Sequence, residues 1–251
     1  MSKIVGRTLD FLETFADQKR PLTVSEIARR LDIPASSCHD VLQALLERGY
    51  LYELAPRGGF YPTLRLYDLA KIIADHDPVV LRVDALLRSL RDKVDESILL
   101  SKVSGMGATY LLSIEPSHPL RYLANVGDNV RSLHATSAGK ALLASLDEAR
   151  LNAYLKSASL ASLTKRTITS KPQLRKELAA GNRRGWFLNR EESQEGVTTL
   201  SKRFVWASAL YIVTIAGPTS RVVPQLAKAA ELLTSACKLL EAPEPSHSGT
   251  G

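Results

Sequence analysis

Leu22-Thr23-Val24-Ser25-Glu26-Ile27-Ala28-Arg29-Arg30-Leu31-Asp32-Ile33-Pro34-Ala35-Ser36-Ser37-Cys38-His39-Asp40-Val41-Leu42 reads as a short helix, a three-residue turn and the start of a longer helix. Thr23 precedes Glu26 by three, the capping-box spacing in which hydroxyl and carboxylate satisfy reciprocal backbone donors. Val24, Ile27, Ala28 and Leu31 supply an inward face. Asp32-Ile33-Pro34 turns the chain, and the next helix, from Ala35 to Arg48, sets Cys38, Val41, Leu42 and Leu45 on one side and stops at Gly49. Helix, turn, helix is the pattern whose second helix enters the DNA major groove by its amino-terminal end. Taken alone it is matched by an ordinary bundle corner.

Upstream, residues 3 to 17 place Val5, Leu9, Leu12 and Ala16 at spacings of four, three and four, with Phe11 and Phe15 widening the stripe of an amphipathic helix. Downstream, Tyr50 to Leu54 has strand character, Ala55-Pro56-Arg57-Gly58-Gly59 is a turn and Phe60-Tyr61 returns as the partner strand. This hairpin looks like a wing and tips the reading from bundle corner to DNA reader. Ser36, Ser37 and His39 point away from the Leu42 and Leu45 stripe toward phosphates or base edges, with Asp40 and Gln43 following on the same helix. Arg29, Arg30 and Arg57 are candidate phosphate contacts, or plain solvated arginines. Residues 1–62 are therefore expected to form a winged helix-turn-helix and residues 63–77 a linker helix ended by Asp75-His76-Asp77-Pro78.

Residues 78–241 read differently. A helix at Val79 to Val94 precedes strand-like runs at Ile98 to Val103, Thr109 to Ile114 and Arg121 to Val126. Helices follow from Ser137 to Ala144, from about Leu151, and from Pro172 to Arg184 with Gly185 as the stop. Strands return at Trp186 to Arg190, Val197 to Phe204 and Ala209 to Ile215, before a last helix from Val222 to Leu240. Helices and antiparallel-type hairpins alternating in blocks give an α+β class. Residues 242–251, with Pro243, Pro245, Ser246 and Ser248, read as a disordered tail.

Composition bounds the chemistry. With 251 residues and 45% apolar content the chain has material for one large or two ordinary domains, which excludes general disorder. Val205 to Ala216, the longest apolar stretch, is broken by Ser208 and Thr214, and the amino terminus has no signal-type run, so a soluble cytoplasmic protein without a membrane partner is expected. Cys38 and Cys237 lack CxxC spacing and are read as buried; no metal or cofactor is expected. The net charge of +7 does not locate a DNA surface, because residues 1 to 80 hold ten Lys and Arg against eleven Asp and Glu and the excess lies later.

The most distinctive stretch of the second region is Leu133-His134-Ala135-Thr136-Ser137-Ala138-Gly139-Lys140-Ala141. A nucleotide loop needs glycine five residues before the Gly of its Gly-Lys pair and Ser or Thr after the Lys; His134 and Ala141 stand there, so nucleotide binding is rejected. What is left is a helix start of small residues, either an ordinary cap or a site whose amides at Ser137, Ala138 and Gly139 hold a carboxylate. His134 near Ser137, His118, and the adjacent Glu191 and Glu192 form no recognisable catalytic constellation.

The blocks Leu133 to Leu143, Leu163-Thr164-Lys165-Arg166-Thr167-Ile168-Thr169, Arg184 to Glu192 with Gly196-Val197, and Ile215 to Arg221 occur in an order that resembles the IclR family of bacterial transcriptional regulators. Leu22 to Ala28 and Leu45 to Leu51 are similar to that family's winged helix-turn-helix. The resemblance implies a DNA reader joined by a linker helix to a GAF-like α/β domain that binds a small effector, typically an organic or aromatic acid of a catabolic pathway. It implies a homodimer or tetramer on a palindromic double-stranded operator. It places the effector pocket at Ser137, Ala138, Asn189, Thr199, Thr214 and Ala216, with Leu123 and Val197 as apolar lining.

Departures from the family pattern bear on specificity. Ala35 stands where a basic residue is frequent and Asp40 where Arg is common; an acidic residue repels phosphate but accepts from a cytosine amino group. Asn189 replaces a common Asp and Ala216 a common Ser, which points to a less polar or differently oriented effector. The hairpin before Ser208 lacks the family's Asp and Gly turn residues and is shorter by about two residues. The expectation is a ligand-responsive regulator, a repressor rather than an activator, and not an enzyme. The alternatives are an enzyme acting on a small acid with the first region as dimerisation module, and a pure interaction protein with a filled second core.

Overall fold

The capping box forms as its spacing dictates. The Thr23 backbone N–H donates to Glu26 Oε2 at 2.8 Å and the Glu26 N–H donates to the Thr23 hydroxyl at 3.3 Å. Arg20 donates to the other carboxylate oxygen at 2.8 Å, and its guanidinium, then the Thr23 amide, hold the Glu26 carboxyl down at about 2. The computed structural model describes residues 3–54 and 58–242 and divides into two units, Met1–Asp77 and Pro78–Gly251.

In the first unit α1 (Lys3–Gln18), α2 (Val24–Arg30) and α3 (Ala35–Glu47) enclose a core of Phe11, Phe15, Leu22, Ile27, Cys38, Leu42 and Leu45. Strands β1 (Leu51–Glu53) and β2 (Phe60–Pro62) pair antiparallel, and Leu22 bridges to Phe60, which ties the wing to the α1–α2 connection. Gly59 sits at φ +85 with its α-carbon against the Leu22 backbone; a Cβ there would lie 2.9 Å from the Leu22 carbonyl, so the approach requires glycine. The expected inward stripe of α1 is corrected: Val5, Leu9 and Ala16 are exposed, and Phe11, Thr14 and Phe15 are buried. The two phenyl rings, one turn apart, carry more apolar area than the aliphatic stripe and take the core. Helix α4 (Arg65–Asp75) follows with no buried residue. Arg57 and residues 243–251 lie outside the described residues.

The second unit is built on an antiparallel sheet of order β4-β3-β7-β6-β5. The strands are β3 (Ser97–Ser104), β4 (Gly107–Ile114), β5 (Phe187–Arg190), β6 (Val197–Trp206) and β7 (Ala209–Pro218). One face is covered by α5 (Pro78–Val94) and α10 (Leu226–Glu241), through Val83, Leu87 and Leu233 against Ile98, Leu100, Leu200, Val213 and Ile215. On the other face lies α6 (Ser137–Leu143), covered in turn by α7 (Glu148–Ser157) and α8 (Lys171–Arg184) through Leu143, Leu151, Leu155, Leu174 and Leu178. Layered on both sides, all seven residues of α6 are buried.

Three expectations change here. Arg121 to Val126 is not a strand; the Tyr122 carbonyl accepts from the Ser97 hydroxyl, the Leu120 carbonyl just before the segment accepts from Arg221, and residues 127–130 run beside β4 instead. The last helix is two, because Pro224 interrupts between α9 (Thr219–Val222) and α10. Helix α7 starts at Glu148, three residues early, because Asp147 caps it by accepting from the Arg150 N–H at 2.8 Å.

Candidate functional site

On α3, Ser36 and His39 are exposed and Gln43 is half-buried; the three fall at i, i+3 and i+7, one side of the helix. Asp40 is exposed and Ser37 half-buried, and both border a cleft of about 750 Å³ between α1 and α3 that also touches Val5, Arg7 and Arg48. Arg29 and Arg30 are exposed in the last turn of α2. The helix that would enter a groove is thus polar on its free side and anchored on the other by Cys38, which is fully buried, has its thiol pushed up by burial and lies 3.5 Å from the Val24 carbonyl. Burial of that kind makes Cys38 a packing residue, not a reactive thiolate.

In the second unit the strand register gathers residues that the sequence scatters. Asn189, Thr199, Ala216 and Ser97 are cross-strand neighbours in one row, and Phe187, Ser201, Thr214 and Leu99 in the next. Both rows face α6. Ser137 Oγ lies 2.6 Å from Thr199 Oγ1 and 2.7 Å from Ser201 Oγ, and Ser201 Oγ lies 2.7 Å from Thr214 Oγ1. Four hydroxyls are therefore linked in one buried chain, and Ser101 adds a buried hydroxyl without a partner among the described residues. Three of the residues expected at the pocket, Ser137, Thr199 and Thr214, are joined through Ser201, which sequence reasoning missed. Its signal was the period of two from Thr199, which puts both on one face.

Ala138 and Ala216 are buried beside this chain. Of the three α6 amides expected to be free, that of Gly139 is not, because it donates to the Thr136 hydroxyl at 3.1 Å. Gly139 itself is obligatory: a Cβ would stand 2.3 Å from the Leu133 α-carbon. Asn189 does not reach the hydroxyls by any hydrogen bond among the described residues; its Oδ1 accepts the Glu192 N–H at 2.7 Å and its Nδ2 donates to Ser193 Oγ at 2.8 Å, so it pins the loop after β5. The same loop is held by Lys140, fully buried, whose Nζ donates to Glu192 Oε1 at 2.5 Å and to the Leu188 carbonyl at 2.8 Å. Burial pulls the lysine down and pushes the glutamate up, each opposed by its partner.

Leu123 is 61% exposed and does not line a core pocket; with Tyr122 it separates two outer cavities of about 260 and 380 Å³. The first is bounded by Tyr110, Arg131, Ser132 and Thr136, the second by Val197, Gly217 and Pro218, and Gln194 borders both. His134 is turned to the Ala161 carbonyl at 3.0 Å, His118 pairs with Asp95, and Glu191 with Arg166, so Ser137 has no base among its hydrogen-bond partners. Among the described residues there is no metal-binding cluster and no helix long and apolar enough to cross a membrane.

Comparison with known proteins places the geometry. The IclR helix-turn-helix domain matches residues 5–55 and the bacterial transcriptional regulator IclR C-terminal domain matches residues 72–239. The chain is similar to the HTH-type transcriptional regulator XynR of Escherichia coli strain K12, 26% identical with 87% of each chain covered. It is similar also to the transcriptional repressor IclR of the same strain, 24% identical over 86% of this chain and 80% of that one. An IclR homolog from Microbacterium hydrocarbonoxydans, solved in complex with 4-hydroxybenzoate, has the same fold, with a TM-score of 0.76 at 22% identity over 95% of this chain and 98% of that one. Both curated relatives are named as transcriptional regulators. With a helix-turn-helix at one end, a base-free hydroxyl cluster at the other and both domains matched in order, the chain belongs to the IclR family of bacterial DNA-binding transcriptional regulators.

Proposed function

We propose that this regulator is a cytoplasmic repressor that binds a palindromic operator as a homodimer or a pair of dimers and is released by a small organic acid. The observation that carries the effector half is the buried chain Ser137–Thr199–Ser201–Thr214, which offers several hydrogen-bonding groups, no cation and no base. Such a site orients a small polar ligand without transforming it. The complex of the Microbacterium relative with 4-hydroxybenzoate supports an acid as ligand class. Residues 63–77 act as the connecting helix. Self-association is supported by α4, on which Leu69, Ile72 and Ile73, at i, i+3 and i+4, form one exposed apolar stripe, 43%, 60% and 65% exposed. Arg29, Arg30, Ser36, His39 and Gln43 face the duplex, and Asp40 selects against the usual family operators.

The test uses the promoter region next to the protein's own gene. A duplex carrying its palindrome is bound in preference to scrambled duplex, and a screen of small carboxylic acids by thermal shift finds one that raises Tm and weakens operator binding by roughly 5- to 150-fold, the usual range of coupling. Ser137→Ala removes the response and leaves operator affinity unchanged. Sequence-indifferent binding alone overturns the operator; turnover of a bound acid overturns the regulator reading of the pocket.

A further inference from the structure

The whole excess positive charge of this chain sits on one stretch. Residues 147 to 190 hold ten Lys and Arg against three Asp and Glu, and the rest of the chain is balanced at twenty-three of each. The unit with the helix-turn-helix contributes none of the excess, since its residues 1 to 77 hold ten basic side chains against eleven acidic. Attraction to phosphates comes from Lys and Arg that release counterions. Its net source is therefore α7, α8 and the loop between them.

Four of the ten are paired with carboxylates: Arg150 with Asp147, Arg166 with Glu191, Arg175 with Glu148 and Arg184 with Glu177. Lys156, Lys165, Lys171, Lys176, Arg183 and Arg190 are exposed and form no salt bridge among the described residues. Lys171 reaches across to the Lys156 carbonyl at 3.2 Å, and these two with Arg175 bound a shallow groove of about 440 Å³. Lys176 and Arg183, seven apart on α8, fall on one side about 10 Å from each other. Between the cations the surface is hydroxyl-rich, with Ser157, Ser159, Ser162, Thr169 and Ser170 exposed, and its one exposed large apolar side chain is Leu163. Protein interfaces take their energy from aromatic and apolar anchors, which this face lacks. A phosphate backbone is gripped by Lys, Arg and hydroxyls, which it has.

We propose that the α7–α8 face is a second contact surface for duplex DNA, indifferent to sequence and separate from the helix-turn-helix. The test is the salt dependence of full-length protein on a mixed-sequence duplex of about 60 base pairs. Lys171→Gln, Lys176→Gln and Arg183→Gln are combined in one variant. A control combines Lys93→Gln, Lys228→Gln and Lys238→Gln, exposed positions of α5 and α10 in the same unit with the same change of net charge. At about 0.9 per phosphate, the slope of log affinity against log salt becomes shallower by about 2 to 3 in the face variant and by less than about 1 in the control. Across about 50 to about 200 mM salt, a slope change of about 2.7 relative to the parent is a factor of roughly 40 in how far affinity falls. An equal change in both variants means bulk charge alone and overturns the proposal, as does no change in either. Loss of poly-glutamate binding in the face variant with an unaltered DNA slope assigns the face to an acidic protein and overturns it too.

Discussion

Replacing Lys140 by Met should be the most damaging single change in the second unit that leaves shape nearly intact. The side chain is fully buried, and its Nζ serves Glu192 Oε1 and the Leu188 carbonyl at once. Met fills the same volume but leaves the Glu192 carboxylate, 11% exposed and already without a partner for Oε2, with no cation. Stranding one member of a buried pair costs about 3–5 kcal/mol, which for a domain of this size is a fall in Tm of roughly 6–20 °C. Lys140→Met with Glu192→Leu should recover most of it, to within about 1 kcal/mol of the parent, because the desolvation of both charges disappears with them. The pH dependence has a definite sign. Burial raises the Glu192 carboxyl above its ordinary 4.5 and Lys140 opposes the rise; without the lysine it climbs further. A raised carboxyl favours the fold below the unfolded value and loses that contribution as pH rises through the folded value. The deficit of Lys140→Met should therefore be smallest below about pH 4.5 and grow toward neutrality. Denaturant unfolding at several pH values measures it. A deficit under about 1 kcal/mol at neutral pH, or a double variant no better than the single one, refutes the reasoning.

Ala207 and Ser208 form the two-residue turn between β6 and β7 with φ of +47 and +61, so Ala207→Asn with Ser208→Gly should stabilise by about 1–2 kcal/mol, read as a higher urea midpoint at unchanged slope. Gly139→Ala should cost more than about 3 kcal/mol, because the obstructing atoms belong to the Leu133 backbone, whereas Gly6→Ala in α1 meets nothing within 4 Å and should gain about 0.5–1 kcal/mol; thermal melts of the pair separate crowding from helix propensity. The Glu26 carboxyl is depressed to about 2, so its contribution is complete above the unfolded value of 4.5 and is lost as pH falls toward 2; Glu26→Gln should flatten that acid limb in circular dichroism melts.

The readable parts of this chain are those set by short-range chemistry. The Thr23 and Glu26 spacing, the Pro34 turn and the Gly49 and Gly185 stops depend on neighbours within a few residues, and each stands where the spacing puts it. Periodicity failed where volume mattered: in α1 an aliphatic stripe and two phenyl rings competed, and pattern cannot rank them. It failed again at Arg121 to Val126, whose alternation suits a strand but whose Tyr122 carbonyl, like that of Leu120 just before it, is claimed by a side chain from a distant segment. Ser137, Thr199 and Thr214 are singled out by family likeness, yet the hydrogen bonds by which Ser201 links Thr214 to the Ser137–Thr199 pair follow from the pairing of β6 with β7, which no local signal specifies. The Lys140 and Glu192 pair spans fifty-two residues, and only the folded chain shows that two unremarkable charges share one buried contact.

The closed hydroxyl chain also constrains what can open it. Ser137, Thr199, Ser201 and Thr214 now satisfy one another, so a ligand entering between α6 and the sheet must replace at least the hydrogen bonds it breaks. Each buried hydroxyl left without a partner costs about 1–3 kcal/mol, more than the burial of one methylene returns. An apolar molecule of the right size is therefore rejected by the polar groups it strands, and discrimination at such a site is set by matching oxygens, not by volume. Asn189 and Ala216 reinforce the point from opposite sides. The amide commits one N–H to Ser193 and one oxygen lone pair to Glu192, and the methyl of Ala216 offers no polar contact, so on the proposed reading the polar contacts of a bound ligand fall mainly to the hydroxyls. On the proposed reading, hydroxyls arranged in this way favour a ligand with two or more acceptor oxygens over an apolar one of equal size.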